Sequence, residues 1–232
     1  MTLTGSIPLN LQSFRKGCLL LLALLLFTGC ELSAPREPVI YGVQPPDWAK
    51  TAARLRHLDH WTIEGKISVR RDDRIDTGQI RSWQQRDASY DIELASVILG
   101  LGATRVKGDD STVTIHQTGE EAVTLLQDPE AAFYGAFGWP LPVRQISSWI
   151  KGLPAVVTDG PAPKLTFGAA GEVVAIEQDG WTISLRKHQP VMLGGYQPLL
   201  LPHFVQLSRE PANGEDAQVT IKMAISNWAA IR

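Results

Sequence analysis

The 232-residue chain has two cysteines, Cys18 and Cys30, and nothing but an N-terminal stretch contains them. The body therefore has no pair to cross-link it, no thiol cluster to hold a metal and no thiol nucleophile. Cations are not in excess: the formal net charge is −2, and every Asp and Glu follows Cys30. Without a basic surplus the chain is not built to collect nucleic-acid phosphates. It also lacks an apolar run long enough to span a bilayer, which needs ~20 residues. No Gly-x-Ser-x-Gly elbow, phosphate loop or His-Glu-x-x-His pair is present, so the usual marks of hydrolase, nucleotide and zinc chemistry are missing. No repeat or low-complexity segment breaks the sequence. Nothing argues for an enzyme, a cofactor or a metal, and no catalytic residue is assigned.

What is present begins with residues 17–30, Gly-Cys-Leu-Leu-Leu-Leu-Ala-Leu-Leu-Leu-Phe-Thr-Gly-Cys, preceded by Arg15 and Lys16. A positive n-region, a short apolar h-region and small residues before a cut describe a signal peptide. Cys30 directly after Thr28-Gly29 resembles the bacterial lipobox, in which that cysteine is acylated and becomes the first mature residue. The alternative is a plain secretory signal with an incidental cysteine. Residues 1–29 are thus expected to be removed. Residues 30–46, with four prolines, form a tether, and 47–232 form one folded domain of ordinary size.

Asp47 is placed to cap a helix over 48–58, with Trp48, Ala52, Leu55 and Leu58 on one stripe. Strands follow. In 61–71, Trp61, Ile63, Ile67 and Val69 alternate with polar residues, and 75–84 returns after a turn at Asp72-Asp73-Arg74. Residues 89–95 make a third strand, and 103–107 and 111–117 a hairpin. One apolar and one polar face, repeated without helices between, predict an antiparallel sheet. Asp128-Pro129-Glu130 then starts a helix whose apolar face holds Phe133, Ala136 and Phe137. Pro142 opens another, bearing Val143, Ile146, Trp149 and Ile150 and stopped at Gly152 and Pro154. The pair suits a plug lying on the sheet. Further strands are expected over 172–178, 181–187, 203–208 and 217–225, with 190–202 read as a loop.

The sharpest candidate is Ser96-Val97-Ile98-Leu99-Gly100-Leu101-Gly102. A connection between strands should be polar, yet this one is greasy. It is either a bulged end of a buried strand or an exposed apolar tip that enters a membrane or another protein. Gly100-x-Gly102 lacks the third glycine and the helix of a dinucleotide loop. His57-Leu-Asp59-His60 reads as a solvated helix end rather than a metal site. Asp72-Asp73 and Glu120-Glu121 read as surface carboxylates. Seven tryptophans stand against four tyrosines. Trp61, Trp83, Phe133, Phe137, Trp149 and Trp181 converge either as an ordinary core or as the wall of a cavity sized for a lipid chain.

Several pieces in order resemble the LolB family of outer-membrane lipoprotein receptors. They are Trp61-x-x-x-Gly65-Lys66-Ile67, Gly78-x-Ile80-x-x-Trp83, Gly138-Trp-Pro-Leu-Pro-Val143, Ile146, Trp149, Gly152-Leu-Pro154, Gly180-Trp181 and Asn227-Trp228. The resemblance implies a mainly β fold, an incomplete, unclosed antiparallel barrel with short helices plugging an apolar cavity for acyl chains. Trp61, Ile67, Trp83, Phe133, Phe137, Ile146, Trp149 and Trp181 would line it. It implies lipidation at Cys30, an outer-membrane anchor and a body facing the periplasm. The task implied is to accept lipoproteins from the periplasmic carrier LolA and insert them among outer-membrane phospholipids, as a monomer. The family's protruding loop falls on Val97, Ile98, Leu99, Gly100 and Leu101, with Leu99 at its exposed leucine. The rival expectation is a structural or interaction lipoprotein of an envelope assembly complex, with a solid β core.

Overall fold

The computed structural model describes residues 43–95, 103–119, 121, 123–125, 129–137, 139, 141–156, 160–194, 197–210 and 218–231. Helix α1 (Trp48–Arg56) comes first, followed by six strands. These are β1 (His60–Arg71), β2 (Arg74–Arg86), β3 (Ser89–Ala95), β4 (Thr104–Gly108), β5 (Val113–Gln117) and β6 (Val123–Leu125). Helices α2 (Pro129–Phe137) and α3 (Val143–Trp149) interrupt the strands. Then come β7 (Lys164–Phe167), β8 (Val173–Gln178), β9 (Trp181–Arg186), β10 (Gln189–Val191), β11 (Leu199–Leu201), β12 (Phe204–Arg209) and β13 (Val219–Ala230).

Eleven strands form one sheet in the order β6-β5-β4-β3-β2-β1-β13-β12-β9-β8-β7, while β10 and β11 pair separately. Every neighbouring pair is antiparallel. The two edge strands, β6 and β7, are not paired to each other, so the sheet is not closed. The antiparallel sheet is what the alternation predicts, and its mainly β, unclosed form is what the family resemblance implies. Trp61, Ile63, Ile67 and Val69 are buried along β1 while Glu64, Lys66 and Arg70 are exposed. Ile221, Met223 and Ile225 do the same along β13. Period-two alternation puts one set of side chains on one face, and that face holds the core.

Local chemistry fixes several joints. Gly65 sits at a bulge where β1 shifts register against both neighbours, and a Cβ there would run into the Ala224 carbonyl. Only glycine lets the backbones approach that closely. At the β4–β5 turn the Asp109 carboxylate accepts from the backbone N–H and hydroxyl of both Ser111 and Thr112. These bonds hold its pKa down at about 2, because they favour the ionised acceptor. On the polar face, Arg105 donates two bonds of 2.8 Å to Asp91, which lowers that carboxyl's pKa.

The structure departs from expectation at four short strands and one cap. The strands β6, β7, β10 and β11 have only three or four residues each, too few to display a period. The stretch expected as a loop over 190–202 contains most of the β10–β11 hairpin, disguised by its prolines and glycines. Helix α1 ends at Arg56, and Asp47 makes no side-chain cap bond. Its backbone carbonyl accepts from Lys50 and Thr51 instead. The stripe itself holds: Ala52, Leu55 and Leu58 are buried, and Trp48 meets Phe167 edge-on at 5.2 Å.

Candidate functional site

The aromatic residues singled out in the sequence come together. Trp61, Ile67, Trp83, Phe133, Ile146, Trp149 and Trp181 belong to one buried cluster, none more than 5% exposed. The sheet supplies Trp61 and Ile67 from β1, Trp83 from β2 and Trp181 from β9. Helix α2 supplies Phe133, and α3 supplies Ile146 and Trp149. The helices are possible there because Pro142 precedes the first turn of α3 and Gly152, at φ +82°, follows its last. Trp61 lies 6.0 Å from Trp83 and 5.4 Å from Trp228, centroid to centroid, and Trp149 lies 6.4 Å from Trp181. Such tilted pairs suit the ring quadrupoles. Phe137 ends α2, and its side chain lies outside the described residues.

The cluster is not wholly apolar. The indole N–H groups of Trp61 and Trp83 are buried with no hydrogen-bond partner among the described residues. Two buried donors without acceptors are an uncommon cost in a core. Trp149 fares differently: its N–H donates to Gln178 Oε1 at 2.8 Å. Gln178 also accepts from Ala155 N–H and donates to Ala155 carbonyl, each at 2.9 Å. A single amide on β8 thus ties down α3 and the segment after it. Lys151, just beyond α3, is only 8% exposed and donates from Nζ to the Leu58 carbonyl at 2.8 Å. Burial pulls its pKa down to about 8. Sequence reading missed Gln178 and Lys151. Their partners lie 23 and 93 positions away, and no local pattern announces such a contact.

Cys30 and Val97, Ile98, Leu99, Gly100 and Leu101 lie outside the described residues. The ends of their loop are defined, however. Strand β3 ends at Ala95 and pairs with β4, which begins at Thr104, so 96–103 join neighbouring strands. That is longer than the ~2–5 residues of an ordinary hairpin connection. His60 stands 3.9 Å from Asp59 and 3.4 Å from Asp87, all three more than half exposed at their side chains. The trio is a solvated charge cluster at the end of the helix-to-strand junction.

Comparison with known proteins adds a further finding. The family model described as "Outer membrane lipoprotein LolB" matches residues 59–228. The outer-membrane lipoprotein LolB of Marinobacter nauticus is 34% identical over 166 residues, covering 70% of this chain and 77% of that one. The LolB of Pseudomonas aeruginosa is 31% identical over 206 residues, covering 89% and 92%. Among solved structures, a LolA-superfamily protein from Nitrosomonas europaea covers 82% of this chain and 94% of its own at 9% identity and a TM-score of 0.46.

Proposed function

The chain belongs to the LolB family of outer-membrane lipoproteins, and from that premise we propose that it receives acylated lipoproteins from the periplasmic carrier LolA and inserts them into the outer membrane. Cys30 carries the acyl anchor and holds the body on the periplasmic side. The protein acts as a monomer and makes or breaks no covalent bond. The observation that carries this reading is the single buried cluster of Trp61, Ile67, Trp83, Phe133, Ile146, Trp149 and Trp181, to which the sheet and both α2 and α3 contribute.

The physical task fits such an interior. Each buried CH₂ is worth ~0.8 kcal/mol, so leaving a long acyl chain in water costs on the order of 10 kcal/mol. A receptor must offer equivalent shelter and then surrender the chains. Apolar walls do both, because they hold by area and not by directional bonds. The two indole N–H groups without partners give the ester carbonyls of an incoming chain something to accept from. Admission requires α2 and α3 to part from the sheet, with Phe137 moving alongside Phe133. Val97, Ile98, Leu99, Gly100 and Leu101 form the apolar tip of the long β3–β4 connection. Leu99 enters the receiving leaflet as the cavity opens.

The test separates acceptance from insertion. Carrier loaded with a labelled lipoprotein is mixed with wild-type receptor or with Leu99→Glu, and vesicles are then added. Transfer to both receptors, with insertion failing only for the Glu variant, is expected. Equal insertion by both would remove Leu99 from the mechanism. If neither receptor takes cargo while both remain folded, the lead passes to a structural lipoprotein with a solid β core.

A further inference from the structure

A second, polar–apolar site is lined by other residues than the aromatic cluster's tryptophans Trp61, Trp83, Trp149 and Trp181. Helix α1, the turn before β8, the end of α3 and the β10–β11 hairpin enclose a cleft of about 230 Å³. Pro45, Arg54, Lys151, Glu172, His188 and Leu200 are among the residues that line it. Three features make it unlike a surface crevice. Lys151 is nearly buried, yet among the described residues its ammonium donates to one acceptor, the Leu58 carbonyl. An ammonium has three N–H donors, so two remain for a ligand. Glu172 presents Oε2 buried and without a hydrogen-bond partner among the described residues. Lys151 and Glu172 thus line one small space, each with bonding capacity to spare.

The third feature is what surrounds the charges. Leu199 and Leu200 of β11 line the same cleft. Leu200 is 40% exposed, and Met192, just after β10, is 59% exposed. Arg54 fastens this greasy hairpin to α1 by donating to the carbonyls of Gln197 and Pro198. Pro45 at the rim marks where the chain enters the domain. Fourteen residues lie between it and Cys30, a span of ~50 Å at full extension, so an anchored protein keeps the cleft within reach of its own membrane.

We propose that this cleft holds the headgroup of a zwitterionic, primary-amine phospholipid, its phosphate on Lys151 and its ammonium on Glu172. Arg54 and His188 also line the cleft, and the lipid's acyl chains leave over Leu199, Leu200 and Met192. Oppositely charged groups of protein and headgroup then satisfy each other, giving the buried Lys151 ammonium and the buried Glu172 Oε2 the partners they lack. The bound lipid seats the domain against the leaflet through the hairpin. The inference rests on the outer-membrane anchor and not on the transfer of cargo, so it stands or falls independently of Leu99.

The experiment uses the full-length acylated protein in detergent, examined by native mass spectrometry with added phosphatidylethanolamine, phosphatidylcholine or phosphatidylglycerol. Wild type should retain phosphatidylethanolamine at least tenfold better than phosphatidylcholine, whose methylated amine cannot donate to Glu172. Glu172→Gln should erase that preference while leaving phosphatidylglycerol unchanged, and Lys151→Gln should weaken all three. Circular dichroism establishes that each variant is folded. Lipid retention indifferent to both substitutions would overturn the proposal. So would displacement of the lipid by millimolar inorganic phosphate, which would make the cleft a free-anion site.

Discussion

Replacing Gln178 by leucine keeps the volume of the side chain and removes all its hydrogen bonding. Three polar groups then lose their partner: the Trp149 indole N–H, the Ala155 N–H and the Ala155 carbonyl. Gln178 is 4% exposed and Trp149 is fully buried, so water does not simply take over. Stranding a buried donor or acceptor costs about 1–3 kcal/mol each. Some relaxation at Ala155 is available because the segment beyond it reaches the surface, and the expected total is about 3–5 kcal/mol. Against the ~5–15 kcal/mol of an ordinary domain, that is a large share. Urea unfolding followed by circular dichroism should show the midpoint falling at unchanged slope. Hydrogen exchange should show the Trp149 indole proton and the Ala155 amide exchanging faster, with β1 and β13 following only the global loss. A destabilisation below ~1 kcal/mol, or an unchanged exchange rate at the Trp149 indole, would refute the claim that one amide clamps α3 to the sheet.

Two further outcomes follow from the packing. Lys151 has a folded pKa of about 8 against an ordinary 10.5. The unfolded chain therefore binds more protons between those values, and stability rises with pH across that window as the charge cost is relieved. Below pH 8 the cost is fully present, up to about 3 kcal/mol from the size of the shift. Lys151→Met should remove the alkaline rise in a series of urea midpoints. Gly65→Ala should cost about 2–4 kcal/mol, since the new methyl meets the Ala224 backbone and not a movable side chain, a forced backbone shift of the kind that gives large losses. Thermal unfolding reads it, and a melting point unchanged from wild type would contradict the close approach.

Much of this architecture is legible in local pattern because period and punctuation are local properties. The alternation of Trp61, Ile63, Ile67 and Val69 announces β1, and Pro142 with Gly152 brackets α3, since each acts through its own backbone. The cluster of Trp61, Trp83, Phe133, Trp149 and Trp181 is legible as a set of large apolar side chains bound for one interior. What escapes is what depends on distant partners. The strand β7 exists because Lys164–Phe167 finds β8, and β10 because Gln189–Val191 finds β11. Asp47 has the chemistry of a cap, but the chain enters the helix by its carbonyl and leaves the side chain unused. Glu172 and His188 carry no mark in the sequence. Only the folding of α1 and the hairpin over them turns two ordinary surface residues into a walled space.

The order of the strands has a consequence for how the protein comes into being. The first long strand, β1, pairs with the last, β13, through the middle of the sheet. A chain exported amino-terminus first can assemble β1 to β6 as successive hairpins and β7 to β9 likewise. The two halves cannot be stitched together until the final dozen residues arrive. Loop closure over nearly the whole chain makes that seam the slow step. The buried aromatic interior is thus sealed last, and a chain clipped before Val219 is left as two unjoined half-sheets with their greasy faces open.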